Sequence, residues 1–260
     1  MKVVILCGGM GTRMKEETEF RPKPLVEIGG MPILWHIMKI YAHYGFTDFI
    51  LPLGYRGYMI KEYFFNYEWM SNDITLNLRS RDRSFHYKHK LEDWNITFVE
   101  TGLETNTGGR VKKIEKYIQD DEFMLTYGDG VADVNINDLL KYHGSKNVIA
   151  TLTGVHPYST YGVIDFEDGG LIKGFKEKPH LDGWINAGFF VFNKKIFKYL
   201  DDNCVLEKEP MNKLAVEGQL AVFLHQGFWK SMDTFKDQQI LNKLWAENST
   251  PAWKVWGERN

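Results

Sequence analysis

Cysteines and long apolar runs are scarce in this chain, and each shortage excludes a class of protein. Two cysteines, Cys7 and Cys204, are too few for a disulfide framework, so we expect a reduced, cytoplasmic compartment. No stretch reaches the length of a membrane span, and the run Val3–Cys7 is too short for the apolar part of a signal peptide. The formal charge of −2 gives no indication of nucleic-acid binding. We therefore expect neither a membrane nor a nucleic acid as a partner.

Predicted strands and helices alternate in the first half of the chain. A short apolar run at residues 2–7 predicts a buried strand, and apolar residues at helical spacing predict a helix over 33–44. Such alternation is typical of an α/β fold with a doubly wound, mostly parallel sheet of the Rossmann-like type. After residue 148 the pattern indicates mainly strands, followed by helices near the C-terminus. The other predicted strands are 47–53, 123–127, 148–155, 162–166, 171–177 and 185–193, with a hairpin and a core strand within 73–101, and the other predicted helices are 57–65, 109–118, 194–200, 207–216 and 235–246.

A glycine-rich loop that ends in a cation follows the first predicted strand directly. Residues Gly8–Arg13 read Gly-Gly-Met-Gly-Thr-Arg, and glycines leave backbone N–H groups accessible to phosphate oxygens. Arg13 adds a planar fork of donors, and Lys23, held between two prolines, adds a point charge. A dinucleotide fingerprint fails because Met14 occupies its third glycine position, and no Walker A ending follows. The loop predicts a site for a diphosphate or triphosphate, and a purely structural turn is the alternative.

Several motifs resemble those of the sugar nucleotidyltransferase family, and the resemblance extends from Met1 to about Trp256. The glycine-rich loop and Pro22-Lys23-Pro24 match the N-terminal pattern of that family. Glu16 and Glu17 stand where many members carry a proline, and this departure resembles the cytidylyltransferase branch. Further matching segments are 29–38, Thr107–Arg110, Tyr127–Asp133 and Phe228–Thr234, and the resemblance is weakest in 66–95 and 156–183.

The resemblance implies an enzyme that uses CTP and glucose 1-phosphate as substrates and Mg²⁺ as cofactor. Its products would be CDP-glucose and pyrophosphate, and CDP-glucose would serve polysaccharide biosynthesis such as that of O-antigen. The resemblance also implies one domain over residues 1–260 with three parts. These are a nucleotide-binding part over 1–147, a small β-rich sugar-binding lobe over 148–234, and a C-terminal helix and tail over 235–260.

Nucleotidyl transfer joins two anionic partners, so the site needs cations rather than a general base. Arg13 and the loop amides would hold the leaving pyrophosphate, and Lys23 would stabilise charge at the α-phosphate, which makes both the expected catalytic residues. Arg110 would donate to cytosine O2, and the alternative is a surface residue that opens a helix. The nucleotide-binding residues that the resemblance implies are Leu6, Gly8, Gly9, Met10, Gly11, Thr12, Arg13, Lys23, Thr107, Gly109, Arg110, Gly128 and Asp129.

Two aspartates are the expected metal ligands. Asp129 lies between two glycines at the end of a predicted strand, and Asp233 lies far along the chain in another family motif. Mg²⁺ commonly takes one or two carboxylates plus phosphate oxygens, so two aspartates suffice. Taken alone, an aspartate in such a Gly-Asp-Gly segment is usually a turn residue. Asp133 is a competing ligand, but we expect it to cap the helix that begins near Asn135.

The sugar phosphate is expected to meet a second group of residues. A carboxylate at Glu177 suits hydrogen bonds with vicinal hydroxyls, and Lys178 suits the phosphate of the sugar. Without the resemblance, Glu177-Lys178-Pro179 would be an ordinary exposed strand end, and Tyr127 would equally well be a core aromatic residue. The implied sugar-phosphate site consists of Tyr127, Gly162, Glu177, Lys178, Asn186 and Gly188.

Rival functions stay open at the level of sequence. One is an enzyme of the same class that uses UTP or dTTP. Another is a glycosyltransferase of related fold, which would carry an Asp-x-Asp motif after a strand where this chain has Gly128-Asp129-Gly130. A non-catalytic relative that only binds nucleotides is disfavoured by the intact Arg13, Lys23, Asp129 and Asp233.

Bulky aromatic residues near the C-terminus lead us to expect a homo-oligomer, a trimer or a hexamer as in the resembling enzymes. Trp253 and Trp256 follow the last predicted helix without an obvious core of their own, and exposed tryptophans often lie at interfaces. The alternative is that the tail folds back over its own domain. Residues 66–90 add further aromatic side chains, namely Tyr67, Trp69, Phe85 and Tyr87.

Overall fold

A seven-stranded sheet is the central feature of the computed structural model, which describes residues 1–87, 91–159, 161–247 and 250–257. One strand, Ile185–Asn193, runs antiparallel to both of its neighbours, and the other pairings are parallel. The predicted α/β fold with a mostly parallel sheet is therefore confirmed. In spatial order the strands are β14 (Leu220–Leu224), β10 (Ala150–Val155), β13 (Ile185–Asn193), β8 (Glu122–Tyr127), β1 (Val3–Leu6), β4 (Asp48–Leu53) and β7 (Asn95–Glu100).

Helices connect these strands along the chain. None of the helices in the described part of the chain combines the length and the apolar character needed to cross a membrane. The α-helices described are α1 (Lys15–Thr18), α2 (Ile33–His43), α3 (Gly57–Phe65), α4 (Tyr67–Ser71), α5 (Thr107–Lys113), α6 (Ile136–Lys146), α7 (Glu209–Val216) and α8 (Phe235–Glu247). Short 3-10 helices cover Thr12–Met14, Lys23–Leu25, Glu115–Tyr117 and Lys194–Tyr199.

Four two-stranded ribbons lie outside the central sheet. Much of the predicted β-rich lobe belongs to the central sheet, because β10, β13 and β14 are three of its seven strands. The ribbons pair β2 (Glu27–Ile28) with β3 (Met31–Pro32), β5 (Asp73–Leu76) with β6 (Arg83–His86), β9 (Gly130–Ala132) with β15 (Trp229–Ser231), and β11 (Val163–Phe166) with β12 (Ile172–Lys176).

Alternate residues of the central strands enter two separate hydrophobic cores, one on each face of the sheet. In β1, Val3 and Ile5 pack into the first core and Val4 and Leu6 into the second, and all four are buried. Successive side chains of a strand point to opposite faces, so a continuous apolar run marks a strand that is covered on both sides. The prediction of a buried first strand is confirmed. Helices α2, α3, α6 and α8 line the first core, and α5 and α7 line the second.

Two predicted helices differ from the structure. The helix predicted over 109–118 begins earlier, at Thr107, and gives way to a 3-10 turn at Glu115–Tyr117. The helix predicted over 194–200 is present, but as a 3-10 helix over Lys194–Tyr199. It is short, begins at the Asn193 cap immediately after β13, and buries Ile196 and Phe197 in the second core, which a tight 3-10 turn suffices to do.

The C-terminal tail folds back over its own domain, so the expectation that its tryptophans lack a core is wrong. Trp253 is fully buried and Trp256 is 8% exposed. Both rings lie near His36 of α2, with ring centroids 6.3 Å and 6.1 Å away, and Trp35 and Trp245 complete this aromatic cluster. Large aromatic rings bury more apolar area than other side chains, so a tail of little regular structure is held firmly in place.

His36 lies fully buried at the centre of the aromatic cluster. Its Nε2 is 2.8 Å from the carbonyl oxygen of Ile28, and the indole N–H of Trp253 approaches its Nδ1 at 3.5 Å. The neutral ring with its proton on Nε2 satisfies both contacts, whereas a second proton would point Nδ1–H at another donor. Burial lowers the pKa of His36 to about 4.

The free energy of unfolding should decrease as the pH falls from about 6.5 to 4, because unfolding lets His36 take up a proton. The pKa of His36 in the folded protein lies below the ordinary value of 6.5. The neutral ring therefore contributes its full stabilisation above pH 6.5, and this stabilisation is lost as the pH falls through the folded-state pKa of about 4. The shift corresponds to roughly 3 kcal/mol. His36→Gln keeps a donor for the Ile28 carbonyl but does not titrate. Between pH 6.5 and 4 its unfolding should therefore take up about one proton fewer than that of the wild type, so its free energy of unfolding should change less with pH.

Urea unfolding at several pH values, followed by tryptophan fluorescence, measures this difference. The matched control is His43→Gln, which removes an exposed histidine from the same helix. Equal pH dependence in the wild type and His36→Gln would contradict the assigned role.

Candidate active site

The candidate site lies where β1 and β8 end at the middle of the central sheet. β1 pairs with β4 on one side and with β8 on the other, so the strand order reverses there. In open α/β sheets, ligands bind beyond the carboxyl ends of the strands at such a switch point. Leu6 is in register with Tyr127, and the N–H of Gly128 donates to the carbonyl of Leu6 at 3.1 Å. A cavity of about 470 Å³ opens between the two loops that follow.

The glycine-rich loop forms one wall of this cavity, and two of its glycines are required by close contacts. A Cβ atom on Gly8 would overlap the guanidinium of Arg110. Gly11 has a φ of +63°, and a Cβ there would meet the methyl group of Thr18 at 2.6 Å. Thr18 also fixes the loop, because its hydroxyl donates to the carbonyls of Gly11 and Met14. Contacts with Arg110 and Thr18 therefore fix the loop conformation. At Gly9, in contrast, no atom lies within 4 Å of the Cβ position.

Four charged side chains form the centre of the site. The ammonium of Lys23 donates to Asp129 Oδ2 at 2.6 Å and to Asp233 Oδ1 at 2.8 Å. Arg13 Nη2 reaches the same Asp233 oxygen at 2.8 Å. Burial alone would raise the pKa of Asp233, but the hydrogen bond and charge of Lys23 outweigh it and the pKa is lowered. We call these four residues the charged cluster; two cations balance two anions in it.

Asp233 is held in position by the beginning of α8. The backbone N–H of Asp233 and that of Thr234 both donate to Asp237 Oδ2, and the Asp237 N–H donates back to the Thr234 hydroxyl. This reciprocal pattern is a capping box. Ser231 donates to the second carboxylate oxygen of Asp233 at 2.9 Å, and Lys230 pairs with Asp237. The paired ribbon β9–β15 carries this segment to Asp129, across about a hundred residues of sequence.

Arg110 is buried, so the alternative that it is a surface residue is wrong. Its Nη2 donates to the carbonyls of Gly8 and Leu103, and its Nη1 lies within bonding distance of the Leu53 carbonyl and the Thr101 hydroxyl. Its two terminal nitrogens therefore tie three loops together behind the cavity. Arg110 also lines the cavity, and its contact with cytosine stays a prediction.

Glu207, which sequence reasoning missed, contacts two residues that line the cavity. It accepts a hydrogen bond from the Tyr127 hydroxyl at 2.5 Å and another from the Thr107 hydroxyl at 2.6 Å. It thereby connects a residue predicted for the sugar with one predicted for the nucleotide. Burial, together with this carboxylate, raises the pKa of Tyr127. The only sequence signal was a lone glutamate before α7, which is typical of any helix N-terminus.

The predicted sugar-phosphate residues fall into two groups. Asn186 donates to the Tyr127 hydroxyl at 3.3 Å, and Gly188, with a φ of +86°, leaves space that the Tyr127 ring occupies. Glu177 and Lys178 pair with each other at 3.1 Å, at the end of β12. Of all six residues, Tyr127 alone lines the cavity, so the structure does not bring the set together there. Gly162 lies beside Glu177.

Lys178 has a backbone conformation that few residues of its type adopt. Its φ is +46°, and it precedes a proline. A non-glycine residue in the left-handed region carries strain, and such residues concentrate at functional sites. Arg56, Arg81 and Asn147 also have a positive φ, so Lys178 is one of four such described residues other than glycine.

Asp133 does not cap the following helix, which corrects the expectation from sequence. Asn135 does so, since its side chain accepts from the N–H groups of Asn137 and Asp138. Asp133 instead pairs with His225 at 2.8 Å, away from the charged cluster. An asparagine two positions later is an equally good cap, so the sequence did not separate the two.

The cavity collects most of the predicted nucleotide-binding residues. Gly109 is the exception, because its Cβ position lies 2.2 Å from the carbonyl oxygen of Asp202 and the residue serves the packing of α5. Sequence reasoning missed the loop 103–106, which forms the opposite wall. The predicted residues that line the cavity are Leu6, Gly8, Gly9, Met10, Gly11, Thr12, Arg13, Lys23, Thr107, Arg110, Tyr127, Gly128, Asp129 and Asp233.

Comparison with known proteins gives near full-length matches. A family model described as nucleotidyl transferase matches residues 2–237. A probable glucose-1-phosphate cytidylyltransferase of Bacillus subtilis is 50% identical and covers 98% of this chain and 100% of that protein. Glucose-1-phosphate cytidylyltransferase of Salmonella typhi is 47% identical with the same coverage.

Two solved structures share the fold. HddC from Yersinia pseudotuberculosis superposes with a TM-score of 0.68 at 24% identity, covering 94% of this chain and 99% of that one. A putative glucose-1-phosphate thymidylyltransferase from Bacillus anthracis gives 0.69 at 16% identity, covering 100% and 98%. At such identities the likeness concerns the fold alone.

Replacing Arg110 should destabilise the protein. Arg110→Met leaves buried carbonyl groups without donors, so we expect the free energy of unfolding to fall by at least about 2 kcal/mol. Urea unfolding measures the loss, and Arg79→Met, at an exposed arginine of the β5–β6 hairpin, is the matched control. A loss no larger than that of the control would refute the anchoring role.

Proposed function

The chain belongs to the nucleotidyl transferase family, and we propose that it forms CDP-glucose and pyrophosphate from CTP and α-D-glucose 1-phosphate. The observation that carries this proposal is identity of 47–50%, over 98% of the chain, to proteins described as glucose-1-phosphate cytidylyltransferases. The cavity at the switch point supports it, because the cavity joins a glycine-rich loop to two cations and two carboxylates.

The proposed reaction is an in-line displacement at the α-phosphate of CTP. An oxygen of the sugar phosphate forms the new bond to phosphorus, the bond to the bridging oxygen of the β-phosphate breaks, and pyrophosphate leaves with that electron pair. The attacking oxygen is already ionised, so no side chain has to remove a proton. Arg13 and the loop N–H groups would hold the leaving pyrophosphate, and Lys23 would face the α-phosphate.

We propose that Asp129 and Asp233 hold Mg²⁺ in this reaction. Their fit to a cation is supported by Lys23, whose ammonium already lies between them at 2.6 Å and 2.8 Å. The described residues contain no group of three or more His, Cys, Asp or Glu side chains suited to a metal, so phosphate oxygens would complete the coordination. When bound, Mg²⁺ neutralises the charge that the phosphates share.

For the sugar phosphate we propose the region beside Tyr127. Asn186 and Gly188 approach Tyr127 from β13, and the base of the β11–β12 ribbon supplies Glu177 and Lys178. These two are charged, adjacent and exposed, which suits a carboxylate for hydroxyl groups and a cation for phosphate.

We also propose a cytoplasmic homo-oligomer, a trimer or a hexamer. Exposed apolar side chains on the β11–β12 ribbon support an assembly better than the buried tail does. Ile164, Phe166, Ile172 and Phe175 are each at least half exposed. Light scattering on the full chain separates such an assembly from a 30.3 kDa monomer.

Pyrophosphate release tests the proposed function. With glucose 1-phosphate as the sugar substrate, CTP should react fastest and UTP second, because uracil shares the O2 oxygen and the ring size of cytosine, whereas dTTP adds a 5-methyl group and lacks the 2′-hydroxyl. The measurement is a coupled assay of CTP, UTP, dTTP, ATP and GTP against several sugar 1-phosphates. Preference for dTTP or GTP would overturn the assignment to CTP, and release from no triphosphate would favour a glycosyltransferase.

Asparagine at either proposed metal ligand should abolish most turnover. Asp129→Asn and Asp233→Asn keep the side-chain shape but lose the charge that holds Mg²⁺, so kcat should fall on the order of a hundredfold. Asp82→Asn, at an exposed aspartate of the β5–β6 hairpin, is the matched control. Near-normal turnover in a folded variant would remove that aspartate from the site.

A further inference from the structure

The cations proposed for the phosphates are bound to the carboxylates proposed for the metal. Lys23 contacts both aspartates, at 2.6 Å and 2.8 Å, and Arg13 contacts Asp233 at 2.8 Å. The proposed roles require phosphate as the partner of the two cations and a metal ion as the partner of the two carboxylates. In the structure the cations and the carboxylates are instead paired with each other. A change of partners must accompany ligand binding.

Lys23 is the cation that blocks the metal position. At its distances from Asp129 and Asp233, the ammonium fills the space in which a second cation would meet both carboxylates. Two positive charges a few ångströms apart repel strongly in a partly buried site. Arg13 does not block in the same way, because its side chain is 71% exposed and contacts one aspartate only.

The backbone of Lys23 is fixed, so its side chain alone can move away. Prolines flank the residue on both sides, and Lys23–Leu25 forms a 3-10 turn in which all three residues are buried. The N–H of Leu25 donates to the Pro22 carbonyl, and that of Val26 donates to the Lys23 carbonyl. A long flexible side chain on a rigid base can exchange one anion for another without rearranging the loop.

We propose that Lys23 is the counter-ion of Asp129 and Asp233 in the ligand-free protein and that it changes partner when nucleotide binds. This inference rests on the proposed function above. The ammonium leaves the carboxylates for a phosphate oxygen of the triphosphate, and the two carboxylates become free for a divalent cation. The protein therefore binds the cation tightly only together with the nucleotide.

The exchange conserves charge pairing at every stage. Without ligand, Lys23 and Arg13 neutralise the two carboxylates, so Asp129 and Asp233 do not repel each other. With ligand, the phosphates replace the carboxylates as partners of Lys23 and Arg13. Coupling of this kind is reciprocal, so removal of Lys23 should strengthen cation binding and uncouple it from the nucleotide.

Mn²⁺ binding to the full chain without nucleotide tests the exchange. Free Mn²⁺ is measured by electron paramagnetic resonance in wild type, Lys23→Gln and Lys23→Arg. Lys23→Gln should bind Mn²⁺ at least about tenfold more tightly than wild type, because a repelling charge is gone. Lys23→Arg should show no such gain, since it retains the charge.

Two further sets of variants define where the gain arises. Lys39→Gln removes a lysine that pairs with Glu92 at 2.8 Å elsewhere in the molecule, so it should bind Mn²⁺ like the wild type. Adding Asp129→Asn or Asp233→Asn to Lys23→Gln should abolish the gain. Lys23→Gln should also melt at a lower temperature than wild type without metal, and Mn²⁺ should raise its Tm more than that of wild type.

Each outcome decides for or against the counter-ion role. Equal Mn²⁺ affinity in wild type and Lys23→Gln overturns it, and so does a gain that survives Asp129→Asn and Asp233→Asn. If Lys23→Gln unfolds without metal, refolding by Mn²⁺ supports the proposal and failure to refold refutes it. The pyrophosphate assay judges the substrate assignment separately, because the Mn²⁺ pattern does not depend on which triphosphate the wild type prefers.

Discussion

The parallel pairing of β1 with β8 is the constraint on which the site depends. β1 is buried on both faces and paired along both edges, so its end has little freedom. The register places Leu6 opposite Tyr127, and the two loops that follow must leave the sheet side by side. One loop supplies the backbone amides proposed to bind phosphate, and the other supplies Asp129. Their proximity therefore follows from strand pairing and requires no contact between the loops themselves.

Ion pairs within the charged cluster offset the cost of removing its carboxylates from water. Removing an aspartate from water is costly unless a partner and hydrogen bonds compensate. Asp233 has both, because Lys23, Arg13 and Ser231 contact its carboxylate and the net effect lowers its pKa. The site proposed for triphosphate, metal and sugar phosphate thus contains two cations and two carboxylates that neutralise one another.

The sequence predicted the features that depend on local pattern, and it missed those that depend on distant contacts. The strand–loop unit at Gly8–Arg13 was recognisable because glycines and a following cation have a direct physical meaning in a short window. The burial of Trp253 was not, since its partner His36 lies in α2, more than two hundred residues earlier. Glu207 was missed for the same reason. Arg110 was identified as a site residue, but its bonds to carbonyls of three loops required the folded chain.

The position of Asp233 relative to Lys23 is set by packing outside the charged cluster. α8 begins at Phe235, two residues after Asp233, and packs against the β2–β3 hairpin, which follows the rigid turn at Lys23. Asn242 of α8 accepts a hydrogen bond from the N–H of Gly29 at 2.9 Å, and the Trp245 ring occupies the Cβ position of Gly29. The aromatic cluster around His36 then holds Trp245 from the other side. A tail without regular structure therefore contributes to the site, because it packs against the helix that begins two residues after Asp233.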